Sequence, residues 1–341
     1  MFKFEEILCC PEDKGDLEAI ENKLLKCKIC QYEYPVVNGI PRLLSGPYYN
    51  ESWDEKWIKY DGGIGYNYRI IDETDMAYKI HNIIKFFEEK EQFLNSVKDS
   101  VVTLDVGCGV GQYAVRLLQL GAPFVIALDL SSGAVETGKK IIKDKFPELS
   151  DRIMFVQADA SFLPFKDDTF CVSQALASIH HSGRLDECVS ELARVTKKEG
   201  ILTAWIYARP FFEKGDKCRE SFLSLLGSFF KNSILILGSF RRDLVHIVLR
   251  RLPKIILHNI LCFMASDLVF SLRKLVARFY YRHIFCYPDK GYRLINLYDA
   301  YSPMYAEVSS EADIVRWSVE NKFKTIDTVD HRLGFIARKE P

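Results

Sequence analysis

The opening residues, MFKFEEILCC, lack the apolar run of a secretory leader, so a cytoplasmic chain is expected. A clean membrane span of about 20 apolar residues is also missing. The nearest approach, SFLSLLGSFFKNSILILGSF at 221–240, is broken by Lys231 and Asn232. There is no internal repeat and no low-complexity tract, which excludes solenoids and fibrous arrays. Net charge is absent too: 46 Lys and Arg balance 46 Asp and Glu over 341 residues. The balance is uneven along the chain. Between Lys217 and Arg282, twelve basic residues face only Glu220, Asp243 and Asp267, so that segment carries +9 and the remainder −9. Such asymmetry is a clue about partners.

At 48% hydrophobic and 27% charged, the composition is that of a globular protein. Most of the ten cysteines, among them Cys171, Cys188, Cys262 and Cys286, sit inside apolar runs. That pattern fits reduced thiols packed as small hydrophobes rather than a disulfide framework. The front end differs. It has a clean C-x-x-C at Cys27 and Cys30, but Cys9 and Cys10 stand side by side, and the second C-x-x-C of a four-cysteine ribbon is missing.

Five organisational segments follow from the pattern: a cysteine- and turn-rich unit at 1–46, a polar and aromatic lead-in at 47–99, an alternating core at 100–209, a basic helical insert at 210–295 and a return to the core at 296–341. The core strands read as 101–106, 124–130, 152–158, 170–176 and 201–207. Between them QYAVRLLQLG, SGAVETGKKIIKDKF and RLDECVSELARVTKKEG have helical apolar spacing. This alternation predicts an α/β fold with a parallel sheet covered on both faces. After the insert, EADIVRWSVENKF predicts a helix, and KTIDTVDH and GFIARK an antiparallel pair at the sheet edge.

The sharpest signal is LDVGCGVGQYA at 104–114. Asp105 ends a strand, and Gly107, Gly109 and Gly111 follow before a helix, where glycine lets the backbone turn and approach a ligand. Alone, the triplet also fits an ordinary strand–helix turn. Asp129 ends the next strand, where a carboxylate can bind ribose hydroxyls, and Asp159 ends the third, where it can accept from an adenine amino group. A dinucleotide fold would show G-x-G-x-x-G. Here the spacing is G-x-G-x-G with a carboxylate ahead of it, which suits a cation and repels a pyrophosphate.

DVGCGVGQYA, ALDLS, QADASFLPFKDDTFCVSQALASIHH and ELARVTKKEGILTAWIY resemble the successive motifs of class I S-adenosylmethionine (SAM)-dependent methyltransferases, over about 100–208 and again over 311–339. The resemblance implies a seven-stranded Rossmann-like core and SAM as cofactor. Asp105, Gly107, Gly109 and Gly111 would then cradle the methionine part, Asp129 with Leu130 the ribose, and Asp159 with Ala160 the adenine edge. Gln174 and Ala175 would line the sulfonium side. One departure is Lys197-Lys198-Glu199-Gly200, where the family commonly has Lys-Pro-Gly-Gly. The front end, through YPVVNGIPRLL, resembles the small zinc-ribbon family that activates some methyltransferases. That match implies a structural zinc site at Cys10, Asp13, Cys27 and Cys30, with Cys9 as a substitute if the loop shifts. The alternative is a metal-free knuckle held by Tyr34, Val36 and Ile40.

Methyl transfer needs alignment and exclusion of water, and for some acceptors a base. His180 and His181, just past the fourth core strand, are the candidates; a helix-start role is the bland reading. The acceptor pocket is expected from Trp205, Tyr207, Tyr298, Asp299, Tyr301 and Tyr305, closed by GYNYR at 65–69; the alternative for NLYDAYSPMYAE at 296–307 is an aromatic hydrogen-bonded turn that docks the insert. In the insert, Leu257, Ile260, Leu261, Met264, Leu268, Leu272, Leu275, Val276 and Phe279 recur at helical spacing, beside a basic stripe of Lys274, Arg278 and Arg282. A helical cap is the plain reading. The sharper one is a basic lid, within 217–285, that touches a membrane or a lipid-linked acceptor. Nucleic acid is less favoured, because the insert lacks the sheet signature of common RNA modules. The expected activity is methylation of a small-molecule or lipid- or glycan-type acceptor. RNA or protein methylation with a built-in activator, and non-catalytic SAM binding, are the rivals.

Overall fold

The computed structural model describes residues 6–21, 23–44, 95–96, 101–207, 249, 251–271, 290, 293–294, 297, 307–329 and 334–341. Outside them lie nearly all of the 47–99 lead-in with its GYNYR stretch, the apolar run at 221–240, the basic stripe Lys274, Arg278 and Arg282, and the expected pocket residues Tyr298, Asp299, Tyr301 and Tyr305. Two compact units are distinguished: Met1–Ala208 with Tyr305–Pro341, and Arg209–Met304.

In the first unit the front segment forms four short antiparallel strands: β1 (Leu17–Ile20), β2 (Leu24–Cys27), β3 (Glu33–Val37) and β4 (Ile40–Leu43). Asn38 and Gly39, both at positive φ, make the tight turn between β3 and β4. The core follows with β5 (Thr103–Val106), α1 (Gln112–Gln119), β6 (Val125–Asp129), α2 (Ser132–Lys145), β7 (Ile153–Ala158), β8 (Phe170–Leu176), α3 (Leu185–Val195) and β9 (Thr196–Trp205). β5 is buried throughout, as expected of a strand covered on both faces. β7, β6, β5, β8 and β9 lie side by side in parallel.

Two short helices of the second unit, α4 (Lys254–Met264) and α5 (Asp267–Ser271), come next in the chain. Then α6 (Glu311–Glu320) starts on a capping box in which Ser310 and Asp313 satisfy each other's backbone amides. β10 (Phe323–Val329) and β11 (Gly334–Lys339) form the expected antiparallel pair, and β11 joins β9. The core therefore has seven strands.

The front strands continue the same sheet. β4 pairs in parallel with β7, Arg42 opposite Gln157 and Leu43 opposite Ala158, so the order runs β1-β2-β3-β4-β7-β6-β5-β8-β9-β11-β10. Leu8, Leu17, Leu25, Tyr34 and Leu43 share one apolar cluster with Leu104, Leu128, Val156 and Phe165 of the core. Burial of that seam, at about 25 cal/mol per Å² of apolar surface, stabilises the front strands where they are.

Two expectations are corrected. The helix read through Gly200 stops at Val195, and Thr196 opens β9. Thr196 Oγ1 donates to the Leu192 carbonyl (2.6 Å) and lies 2.9 Å from Ser173 Oγ, which turns the chain into the sheet. In the insert, one continuous apolar stripe was expected. The helix instead breaks at Ala265 and Ser266, so the stripe changes register: Val269 is buried and Leu268 exposed. Arg293 is buried at this corner and donates to the Ala265 carbonyl (2.8 Å) and to Asp267 (2.6 Å). Among the described residues, no helix is long and apolar enough to cross a membrane.

Candidate functional site

The β5–β8 pairing sets Asp105 opposite Gln174. Gln174 Nε2 donates to Asp105 Oδ1 (3.0 Å), while the buried Oδ2 has no hydrogen-bond partner. Burial pushes the Asp105 carboxyl up to about 7; the Gln174 bond opposes this and the charge of Asp129 adds to it.

Gly107 follows at φ +69°, its amide donating to the Leu128 carbonyl (2.7 Å). A Cβ there would overlap the side chain of Ser178, which itself donates to the Val106 carbonyl (2.9 Å). Gly111, at φ +85°, would press a Cβ to 2.9 Å from Phe155. Gly109 donates its amide to Asp129 Oδ2 (2.8 Å), and the Ser131 amide donates to Asp129 Oδ1 (2.9 Å). One carboxylate thus ties the glycine loop to the start of α2. Asp159 Oδ1 accepts from the amide (2.8 Å) and hydroxyl (2.6 Å) of Ser161, with Ala160 between them. Asp105, Asp129 and Asp159 stand at the C-terminal ends of three adjacent strands, the ligand edge of such a sheet.

His180 and His181 lie in a short 3-10 turn after β8. The His180 ring is 3.9 Å from that of Tyr207 and 4.2 Å from His181 (centroid to centroid). His180 is fully buried and His181 half-buried. The Glu307 amide donates to the His180 carbonyl (2.8 Å), which brings the residues after the insert to this turn.

At the front end, ligand atoms of Cys10, Asp13, Cys27 and Cys30 all lie within 4.8 Å of one another. Cys10 and Cys30 sulfurs are 3.8 Å apart, and Cys27 Sγ is 3.3 Å from Asp13 Oδ1. A tetrahedral zinc with bonds of about 2.0–2.3 Å needs donor separations of about 3.3–3.8 Å, the range these two pairs span, so the donor set fits that ion. Asp13 is anionic at any working pH, its carboxyl held at about 2, chiefly by the Gly15 amide. Cys9 is not in the group: it is buried and donates its amide to the Pro164 carbonyl (3.0 Å). Of the residues proposed for a metal-free knuckle, Tyr34 is close by, its hydroxyl 3.1 Å from Cys10 Sγ.

Compared with known proteins, residues 104–204 match the model of the methyltransferase domain, and residues 2–39 that of Trm112p-like protein. The chain carries a methyltransferase domain behind a Trm112p-like domain. Sequence relatives include the sterol 24-C-methyltransferase ERG6B of Gibberella zeae, 33% identical over 31% of this chain and 27% of that one. They also include the 27-O-demethylrifamycin SV methyltransferase of Amycolatopsis mediterranei (33%; 29% of this chain, 36% of that one). The ubiquinone/menaquinone biosynthesis C-methyltransferase UbiE of Pseudomonas aeruginosa is 29% identical over 46% of this chain and 62% of its own. The chain thus spans 27 to 62% of the lengths of these relatives. Among solved structures, the complex of the Haloferax volcanii Trm112 methyltransferase activator with its methyltransferase aligns at 20% identity with a TM-score of 0.35, covering 48% of this chain and 63% of that one.

The front strands reach the methyltransferase loops through residues that sequence reasoning missed, chiefly on β4, just past the Trm112p-like match at 2–39. Buried Arg42 on β4 donates to Gln157 Oε1 (3.1 Å), and Gln157 Nε2 donates to the carbonyl of Leu130 (2.9 Å), one residue past Asp129. Arg42 also pairs with Glu136 on α2, and Lys139 of α2 donates to the Asn38 carbonyl (2.7 Å). Nothing local marks Arg42, because its partners are about a hundred residues away and meet it only through the β4–β7 pairing.

Proposed function

We propose that the chain is a SAM-dependent methyltransferase acting on a small, largely apolar acceptor by O- or C-transfer. The observation that carries this reading is the buried Asp105 carboxylate, whose Oδ2 lacks a protein partner beside the glycine loop. An acceptor-only, anionic set of three aspartates suits a ligand with an ammonium group, a ribose diol and an adenine amino group. When bound, SAM supplies an electrophilic methyl group on a sulfonium. Asp105, oriented by Gln174, accepts from the ammonium. Asp129 accepts from the ribose hydroxyls and holds Gly109 in place, Leu130 flanks the ribose, and Asp159 with Ala160 edges the adenine. His181, the more open of the two histidines, takes the proton of an acceptor hydroxyl, and His180 packs beneath it on Tyr207. Cys10, Asp13, Cys27 and Cys30 hold a structural zinc, since four protein donors leave no open position for chemistry.

The acceptor class rests on the relatives, whose names specify sterol, quinone and rifamycin methylation. A macromolecular acceptor is the second reading, favoured by the Trm112p-like domain. The test uses methyl-labelled SAM with extract of the source organism divided into lipid, small-molecule, RNA and protein fractions. Label is expected in the lipid or small-molecule fraction and absent with Asp105→Ala and Asp129→Ala. Label confined to RNA or protein would install the second reading. SAM binding without label in any fraction would leave a non-catalytic SAM-binding protein.

A further inference from the structure

Helix α4 of the second unit reads KIILHNILCFM and is apolar almost all the way round. One face, with Leu257, Leu261 and Met264, is buried. At the spacing of 3.6 residues per turn, Ile255, Ile256, Asn259 and Phe263 share the opposite face. There Ile255 is 72% exposed, Ile256 46% and Phe263 63%. A helix that is apolar on both faces normally has both covered. Exposed large hydrophobics are scattered elsewhere, but four of the thirteen among the described residues, counting Leu268, fall within 255–268. The corner after α4 is fixed by buried Arg293, which holds the Ala265 carbonyl and Asp267, so this surface belongs to an ordered element.

We infer that this face of α4 seats in the interfacial layer of an anionic lipid bilayer. Charge selects that occupant. Residues 209–304 contain sixteen Lys and Arg against seven Asp and Glu, a net +9 in a chain of zero net charge. Basic charge in the same stretch of sequence as an apolar helical face gives attraction to anionic lipid together with burial of the large side chains among the acyl chains. RNA would satisfy the charge but leave Ile255 and Phe263 in water. The helix, at 11 residues, is far too short to span, so it lies along the surface. The inference concerns where the chain sits and stands apart from the identity of its acceptor.

The test is co-sedimentation of the purified full chain with vesicles of phosphatidylcholine alone or mixed with phosphatidylglycerol, at low and high salt. Binding is expected only to the anionic vesicles and is weakened by salt. Ile255→Gln with Phe263→Gln should reduce it at least tenfold. Both positions are exposed, so the double variant should keep its thermal transition and its SAM affinity. Arg251→Glu, also at an exposed position, should reduce binding without touching the apolar face. A chain that stays in the supernatant with anionic vesicles overturns the inference, as does binding unchanged by the double variant. Tight, salt-sensitive binding of poly-uridine RNA without vesicle binding would assign the charge to nucleic acid instead. SAM titration of the same samples separates failure here from failure of the methyltransferase reading.

Discussion

Asp105 is where function and stability pull against each other. Its carboxyl titrates at about 7 in the fold, against 3.8 without the fold around it. Between those values the folded chain holds a proton that the unfolded chain has lost, so this group's contribution to stability falls as pH rises through the window. Asp105→Asn, which keeps an oxygen for Gln174, is expected to raise stability at pH ~8, by up to ~4 kcal/mol, while abolishing SAM binding. Thermal unfolding and calorimetric SAM titration check the two halves. The wild type should bind SAM more weakly as pH drops below about 7, because the cation-binding form is then depleted. A second residue carries strain of another kind. Glu199 sits at φ +60°, a left-handed conformation that favours glycine, in the Lys-Lys-Glu-Gly stretch. A left-handed non-glycine residue costs about 1–2 kcal/mol, partly offset by glycine's greater freedom when unfolded. Glu199→Gly is therefore expected to stabilise by about 0.5–1 kcal/mol, read as a rise in Tm. Gly200 has no such latitude, since a Cβ would lie 2.7 Å from the Lys197 carbonyl oxygen.

At the scale of elements, the front strands are held by a metal-ready knot at one end and by the core at the other. The donor geometry predicts about one zinc per chain by elemental analysis of the purified protein. Cys27→Ser should lose it. Asp13→Cys should keep it and release it to a chelator at least tenfold more slowly, because thiolate is the better ligand for zinc. Metal-free wild-type protein with an unchanged thermal transition would contradict this and leave Tyr34 and its neighbours to hold the knuckle. The loop at 163–167 ties this end to α3. Arg194 donates to the carbonyls of Leu163 (2.9 Å) and Phe165 (2.7 Å) and pairs with Glu191, while Lys14 from the front segment reaches the same Glu191 (3.0 Å). A half-buried cation with so many acceptors fixes the loop that follows Asp159.

Across the whole first unit, one sheet of eleven strands joins the Trm112p-like and methyltransferase domains. β4 covers what would otherwise be the open edge of β7, a site where sheets tend to aggregate. The same contact carries Arg42 to Gln157 and thence to the Leu130 carbonyl. Arg42→Met preserves the apolar stem and leaves Glu136, half-exposed, to water. It is expected to weaken SAM binding roughly tenfold with kcat unchanged at saturating SAM, and Arg42→Lys to fall between, since a single ammonium cannot serve both Gln157 and Glu136 in the same geometry. Equal SAM affinity in all three proteins would make Arg42 a seam residue only.

The sequence by itself determined the parts whose signals are local. The glycine spacing with Asp105, the acids at Asp129 and Asp159 and the C-x-x-C at Cys27 and Cys30 are all legible within a few residues, because backbone conformation and donor spacing are short-range properties. Tertiary structure decided what depends on strands meeting across a hundred residues: the β4–β7 seam, the Arg42–Gln157–Leu130 chain, and the burial that lifts Asp105. It also decided two local matters against the pattern. Helical spacing ran through Thr196 and across Ala265, but the Thr196 hydroxyl contacts turned the first into a strand and the buried Arg293 broke the second. Periodicity reports which residues prefer to be covered; only the packed neighbours determine what covers them.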